Sequence, residues 1–98
     1  MAEFTGQTFE ESDLFLKMFC EAVFTNCQFN GNARRCNFHK ASFDNCIFSE
    51  GFKFINCLIT GVTGINESLV EGGNFSTLAE YQTEITKLTQ MGFILPEL

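Results

Sequence analysis

At 98 residues the chain is long enough for one domain and too short for a large central core. Twelve acidic against six basic side chains give a formal charge of −6, which argues against general affinity for nucleic acid or anionic membrane and favours basic partners. Five cysteines without zinc-ligand or disulfide-framework spacing fit a reducing cytoplasm, and with neither a signal-peptide pattern nor an apolar run of ~20 residues, export is not expected.

Thirteen residues are Phe, and in the first half they keep a beat. Phe4, Phe9, Leu14, Phe19, Phe24 and Phe29 stand five apart, and Phe38, Phe43 and Phe48 resume the spacing after one slip. A period of five fits neither the 3.6 of a helix nor the 2.0 of a strand. Four such units make a turn of about twenty residues with one large apolar side chain inward on each side, which is a repeat architecture. The residue two before many centres is small, as at Ala2, Ala22, Ala41, Gly31, Cys27, Cys36 and Cys46, whereas the first coil carries Gln7, Ser12 and Lys17 there, which suits a terminal layer partly in water. The expected fold is an all-β solenoid, a right-handed quadrilateral β-helix of about four coils over residues 1–76, followed by a C-terminal α-helix within 77–98.

In chain order, the first coil centres on Phe4, Phe9, Leu14 and Phe19, and the second on Phe24, Phe29, Ala33 and Phe38. Strict counting would bury Arg34, where an unpaired guanidinium is costly, so one residue is dropped, Ala33 turns inward, and Arg34 and Arg35 go to solvent. The third coil takes Phe43, Phe48, Phe54 and Ile59, with Gly51 as the extra residue of a six-residue step. Phe52 and Phe54 then lie beside Gly31 and Ala33, exchanging volume between coils. Beyond Ile59 two registers compete, one on Gly64 and Leu69, the other on Ile65, Val70 and Phe75, and the second leaves no empty centre. Thr77 and Glu80 form a capping box before Leu78, Tyr81, Ile85 and Leu88, spaced three, four and three apart, so residues 78–91 are expected to be helical and to stop at Gly92. The apolar tail Phe93-Ile94-Leu95-Pro96 needs a surface to bind. The helix is expected to cap the fourth coil, to form a dimer contact, or both.

The chemistry-bearing side chains do not assemble into a catalytic set. Cys27 stacks under Cys46 and Cys36 under Cys57 as small packing groups, and Cys20 faces outward as a free thiol. His39 points outward beside Lys40, and no nucleophile with an orienting partner is placed beside it. No phosphate loop or metal-spaced set occurs, so neither an enzyme nor a cofactor is expected. Arg34, Arg35, His39 and Lys40 form a small basic cluster that an acidic partner could contact. The acids, Glu10, Glu50 and Glu71 among them, occupy outward positions. A rod with negative sides resembles the shape and field of a duplex.

The triplets Cys27-Gln28-Phe29, Cys36-Asn37-Phe38, Ala41-Ser42-Phe43 and Cys46-Ile47-Phe48 resemble the repeat of the pentapeptide-repeat family over roughly residues 2–76. The run from Tyr81 to Ile94 is similar to the C-terminal helix of its quinolone-resistance (Qnr-type) members, with a Tyr-Gln start and a Leu-x-x-x-Gly-apolar ending. Those members have more coils, and their projecting loops find no clear counterpart here. The resemblance implies a cytoplasmic, non-enzymatic homodimer that mimics DNA. It implies DNA gyrase or topoisomerase IV as partner, Glu10, Glu50 and Glu71 on the binding faces, and Tyr81, Ile85, Leu88, Phe93, Ile94 and Leu95 at the dimer contact. The alternative is a structural or adaptor module that binds some other protein.

Overall fold

Each five-residue unit begins with a short extended stretch that sends one side chain inward and ends on a backbone corner. The computed structural model describes residues 2–71 and 73–92. Among these, the strands are β1 (Glu3–Thr5), β2 (Thr8–Phe9), β3 (Val23–Thr25), β4 (Gln28–Phe29), β5 (Ala33–Arg34), β6 (Ser42–Asp44), β7 (Ile47–Phe48) and β8 (Phe54–Ile55). They pair in parallel, in the orders β1-β3-β6, β2-β4-β7 and β5-β8. Phe4 aligns with Phe24 and Phe24 with Phe43, while Phe9 aligns with Phe29 and Phe29 with Phe48. Ala33 aligns with Phe54, and isolated parallel bridges from Met18 to Asn37, Leu58 and Phe75 mark a fourth line. The chain crosses these four lines in turn and meets its preceding circuit on each. Parallel strands need a long crossover, and here the rest of the circuit supplies it.

The corners carry positive φ. Gly and Asn fill many of them, but Leu16, Glu21, Arg35 and Lys40 also sit at φ between 55° and 60°. A left-handed residue with a Cβ costs roughly 1–2 kcal/mol, which the ladder on either side must offset. Gly64 is more constrained, because a Cβ there would lie 1.8 Å from the Phe43 carbonyl oxygen.

The interior is built from stacked rings. Phe4, Phe24 and Phe43 lie nearly parallel with centroids 5.2 and 4.9 Å apart, and Phe9, Phe29 and Phe48 repeat this at 5.1 Å on the next line. Neighbouring columns meet edge to face, as at Phe24 and Phe29, 5.3 Å apart at 74°. Both arrangements suit the ring quadrupole. Phe52 and Phe54 are buried and meet at 5.0 Å, filling the space left where the second circuit has Gly31 and Ala33. The thiols of Cys27, Cys36, Cys46 and Cys57 donate to the carbonyls of Phe4, Leu14, Phe24 and Ala33, each one circuit back. All of them are free cysteines.

Three expectations about the interior need correction. Arg35 is half-buried rather than solvated, and its guanidinium meets the Glu84 carboxylate at 2.8 Å. Phe48 is only half-buried, because the fourth circuit contributes no strand beneath β7 among the described residues. That circuit is short: Phe54 bridges to Val70 and Leu58 to Phe75, with a 3-10 turn at Glu67–Leu69 in place of the missing side. Consequently Leu69, not Val70, packs with Ile65 on the main core, and Phe75 joins a second cluster. The Asn74 side chain completes the ladder there, accepting from the Cys57 N–H and donating to the Phe54 carbonyl.

The helix, α1 (Leu78–Gln90), is capped by Thr77, whose hydroxyl accepts the Glu80 N–H at 3.2 Å. Its buried stripe, Tyr81, Ile85 and Leu88, clusters with Leu16 and Leu58 and with the partly buried Met18 and Phe75. These come from the first, third and fourth circuits, so the helix lies along the side of the ladder rather than over its end. The Tyr81 hydroxyl donates to the Arg35 carbonyl of the second circuit at 2.8 Å, and Phe75 meets the Tyr81 ring edge-on at 6.0 Å.

Burial pushes the Tyr81 phenol well above its ordinary range, and it likewise raises the Cys36 and Cys46 thiols. The unfolded chain sheds the thiol protons near pH 8.5 and the phenol proton near pH 10. The folded chain holds them, so the stability these groups contribute is fully present below about pH 8.5 and is lost as pH rises. Tyr81 is the one tyrosine, so absorbance near 295 nm reads it directly. The phenolate signal should appear with unfolding, well above pH 10. A signal that titrates near pH 10 in a folded chain would contradict the buried ring.

Candidate functional site

The ladder sorts charge by side. Lines one and two, with the corners between and after them, expose Glu3, Glu10, Glu11, Asp44, Glu50 and Glu67, with Lys53 at the end of the corner after line two, where its Nζ donates to the Ser68 carbonyl beside Glu67. Lines three and four, their corners and the helix hold the other Lys and Arg residues: Lys17, Arg34, Arg35, Lys40 and Lys87. One flank of the molecule is therefore predominantly acidic, with Arg34 reaching its rim 3.9 Å from Glu11, and the other mixed.

Glu10 and Glu50 lie on the acidic flank at the corner after line two. There Asn30 follows Phe29 as Glu10 follows Phe9, and the Asn30 amide reaches the Glu10 carboxylate at 3.5 Å. Glu50 stands two circuits from Glu10, about 10 Å along the stack. Glu71 does not join them. It follows Val70 on line three, its N–H donating to the Phe54 carbonyl, and so stands on the mixed flank near the column of Phe15, Arg34 and Ile55. Asp13 turns back on its own segment, its carboxylate accepting the Glu10 N–H at 3.0 Å.

The basic cluster is dispersed. Arg34 is exposed on line three, 3.9 Å from Glu11; Arg35 is paired with Glu84; Lys40 stands exposed at the corner after line four. His39 is half-buried rather than outward, and its Nδ1 is buried without a hydrogen-bond partner. Cys20 is an exposed free thiol. Among the described residues no group of three or more His, Cys, Asp or Glu side chains could hold a metal, and no helix is long and apolar enough to cross a membrane.

Tyr81, Ile85 and Leu88, expected at a dimer contact, are instead buried within their own chain, which leaves Leu78 and Met91 as the exposed large apolar residues of this segment. Phe93, Ile94 and Leu95 lie outside the described residues. A cleft of about 360 Å³ lies at the end of the fourth circuit, lined by Ile59, Thr60, Val70, Glu71, Asn74 and Phe75 among others. Among the described residues its polar lining is the Glu71 carboxylate, the Asn74 amide and the hydroxyls of Thr60 and Ser76. The sequence signal for the helix position was the run of apolar residues at outward positions near line four: Leu16, Met18 and Leu58. Compared with models of protein families, with curated proteins and with solved structures, the chain finds no match in any of the three.

Proposed function

We propose that this chain is a cytoplasmic, non-enzymatic pentapeptide-repeat protein, a right-handed quadrilateral β-helix of about four coils, whose acidic flank imitates duplex DNA. Its partner in this reading is a type II topoisomerase, DNA gyrase or topoisomerase IV, which it modulates or protects by occupying the surface that holds DNA. The observation that carries the proposal is the uneven distribution of charge, with Glu3, Glu10, Glu11, Asp44, Glu50 and Glu67 exposed on a flank whose only nearby cations are Lys53 and, at the rim, Arg34. A regular ladder spaces these carboxylates by whole strand steps of ~4.8 Å, and a basic channel attracts such a field.

Association should weaken with salt, because exposed charges act over only about 8 Å at physiological ionic strength. Joint reversal of Glu10→Lys and Glu50→Lys is expected to weaken binding to gyrase at low salt by roughly tenfold or more, while Glu71→Lys on the other flank changes it little. Direct binding by calorimetry, with supercoiling assayed with and without a quinolone, checks this. If the native chain neither binds gyrase nor alters supercoiling, the reading fails. The exposed Arg34 and Lys40 on the mixed flank favour a second reading, an adaptor for an acidic protein. Binding lost on Arg34→Glu and Lys40→Glu but kept in the acidic-flank variant would select it.

A further inference from the structure

The fourth circuit is one side short. From line one to line three the third circuit takes twelve residues, Ser42 to Phe54, whereas the fourth covers the same step in seven, Thr63 to Val70. The difference is one five-residue unit, and the side it removes is line two, where among the described residues nothing from the fourth circuit pairs with β7. On line one the Phe43 N–H donates to the Thr63 carbonyl, and the Ala41 carbonyl accepts from the Thr63 N–H. Their counterparts on line two are the Phe48 N–H and the Cys46 carbonyl. Among the described residues no backbone hydrogen bond joins either of them to the fourth circuit, so β7 presents an open strand edge.

The side chains record the same gap. Cys27 and Phe29 are each 1% exposed, while Cys46 and Phe48, stacked on them one circuit later, are half-buried, and Ile47 between them is 65% exposed. Ile65 and Leu69 of the shortened circuit pack against the core without closing this stretch. The charge around the edge is mostly negative. Asp44 precedes β7, Glu50 follows it and Glu67 lies in the shortened connection, all exposed, while the cation on this side, Lys53, donates to the Ser68 carbonyl.

We infer that β7 is a strand-addition site, where an extended basic segment of a partner protein pairs with the main chain of Cys46 and Phe48 and supplies the missing side. Its inward residue is large and apolar, and it lengthens the column of Phe9, Phe29 and Phe48, whose rings stand 5.1 Å apart. Lysine or arginine on either side of that residue lays an aliphatic stem over Ile47 and directs its charge to Asp44 and Glu50. A second copy of this edge brings the same carboxylates together, so charge disfavours self-pairing. The site needs the ladder and its acidic surround but no topoisomerase, and a failure to bind gyrase leaves it standing.

The probe is a blocked peptide of about seven residues that alternates lysine with valine and phenylalanine, titrated at low salt into the isotopically labelled full chain. The expected result is saturable binding that shifts the amides of Cys46 to Ser49 and slows hydrogen exchange of the Phe48 N–H about tenfold. The same peptide N-methylated along its backbone should bind the native chain about tenfold more weakly, and so should the unmodified peptide on Ile47→Lys. Equal binding by the methylated peptide, or shifts confined to other parts of the acidic flank, would reduce the contact to plain charge attraction and overturn the inference. No binding would overturn it as well. So would a Phe48 amide already protected in the free chain: protection unchanged on dilution means that the edge is covered by its own chain, and protection lost on dilution means that a second copy covers it.

Discussion

Phe24→Ala is expected to destabilise the chain by about 3–5 kcal/mol, through lost transfer energy and the cavity left behind. The ring is fully buried between Phe4 and Phe43 and touches Phe19 and Phe29 edge-on at 5.4 and 5.3 Å. No other column can close the gap, because each ring is held at strand spacing by its own backbone. A small domain has only about 5–15 kcal/mol of stability in all, so the urea midpoint should fall steeply. Ile47→Ala is the internal comparison. Ile47 is 65% exposed on line two, and its truncation should stay within about 0.5 kcal/mol. Equal costs at the two positions would contradict the inward placement of the Phe24 column.

Tyr81→Ala should release the helix. The side chain is completely buried against the ladder, and its hydroxyl satisfies the Arg35 carbonyl. Truncation is expected to cost about 3–5 kcal/mol, comparable with losing any large aromatic from a core. A helix of 13 residues is marginal alone in water, so once undocked it should also unwind. Circular dichroism at 222 nm should fall at temperatures where the native chain is intact. Tyr81→Phe keeps the ring and removes one hydrogen bond, for a cost of about 1 kcal/mol. Full helicity in Tyr81→Ala would mean that the helix does not depend on the side of the ladder.

How far the sequence could be read differs from part to part, for physical reasons. The phenylalanine beat exposed the inward columns, since a period of five has one geometric meaning, and volume alone placed Phe52 and Phe54 beside Gly31 and Ala33. The helix was legible from its cap and stripe, with an expected 78–91 against an observed Leu78–Gln90. Its location was not legible, because counting by fives treats the four sides alike, while Leu16, Met18 and Leu58 single out one of them. The corners at Leu16, Glu21, Arg35 and Lys40 carried no Gly or Asn to mark them, and their φ is imposed by the neighbouring circuits. The fourth circuit misled because its ladder is completed by a side chain, Asn74, rather than by a strand. Outward acids were identified correctly as outward at Glu10, Glu50 and Glu71, all exposed, but their grouping depends on which line each follows. Glu71 falls on the wrong flank because the last circuit is short.

The parallel register that puts Phe4, Phe24 and Phe43 in one column also sets which acids share a flank. Backbone Overhauser contacts test it most directly. The Val23 N–H donates to the Ala2 carbonyl and the Ser42 N–H to the Ala22 carbonyl, both at 2.9 Å. The Val23 amide proton should therefore show strong contact to the Glu3 alpha proton, and the Ser42 amide proton to that of Val23. Strong alpha-to-alpha contacts between these segments, the mark of antiparallel pairing, or no contact between them at all, would contradict the ladder and with it the acidic flank.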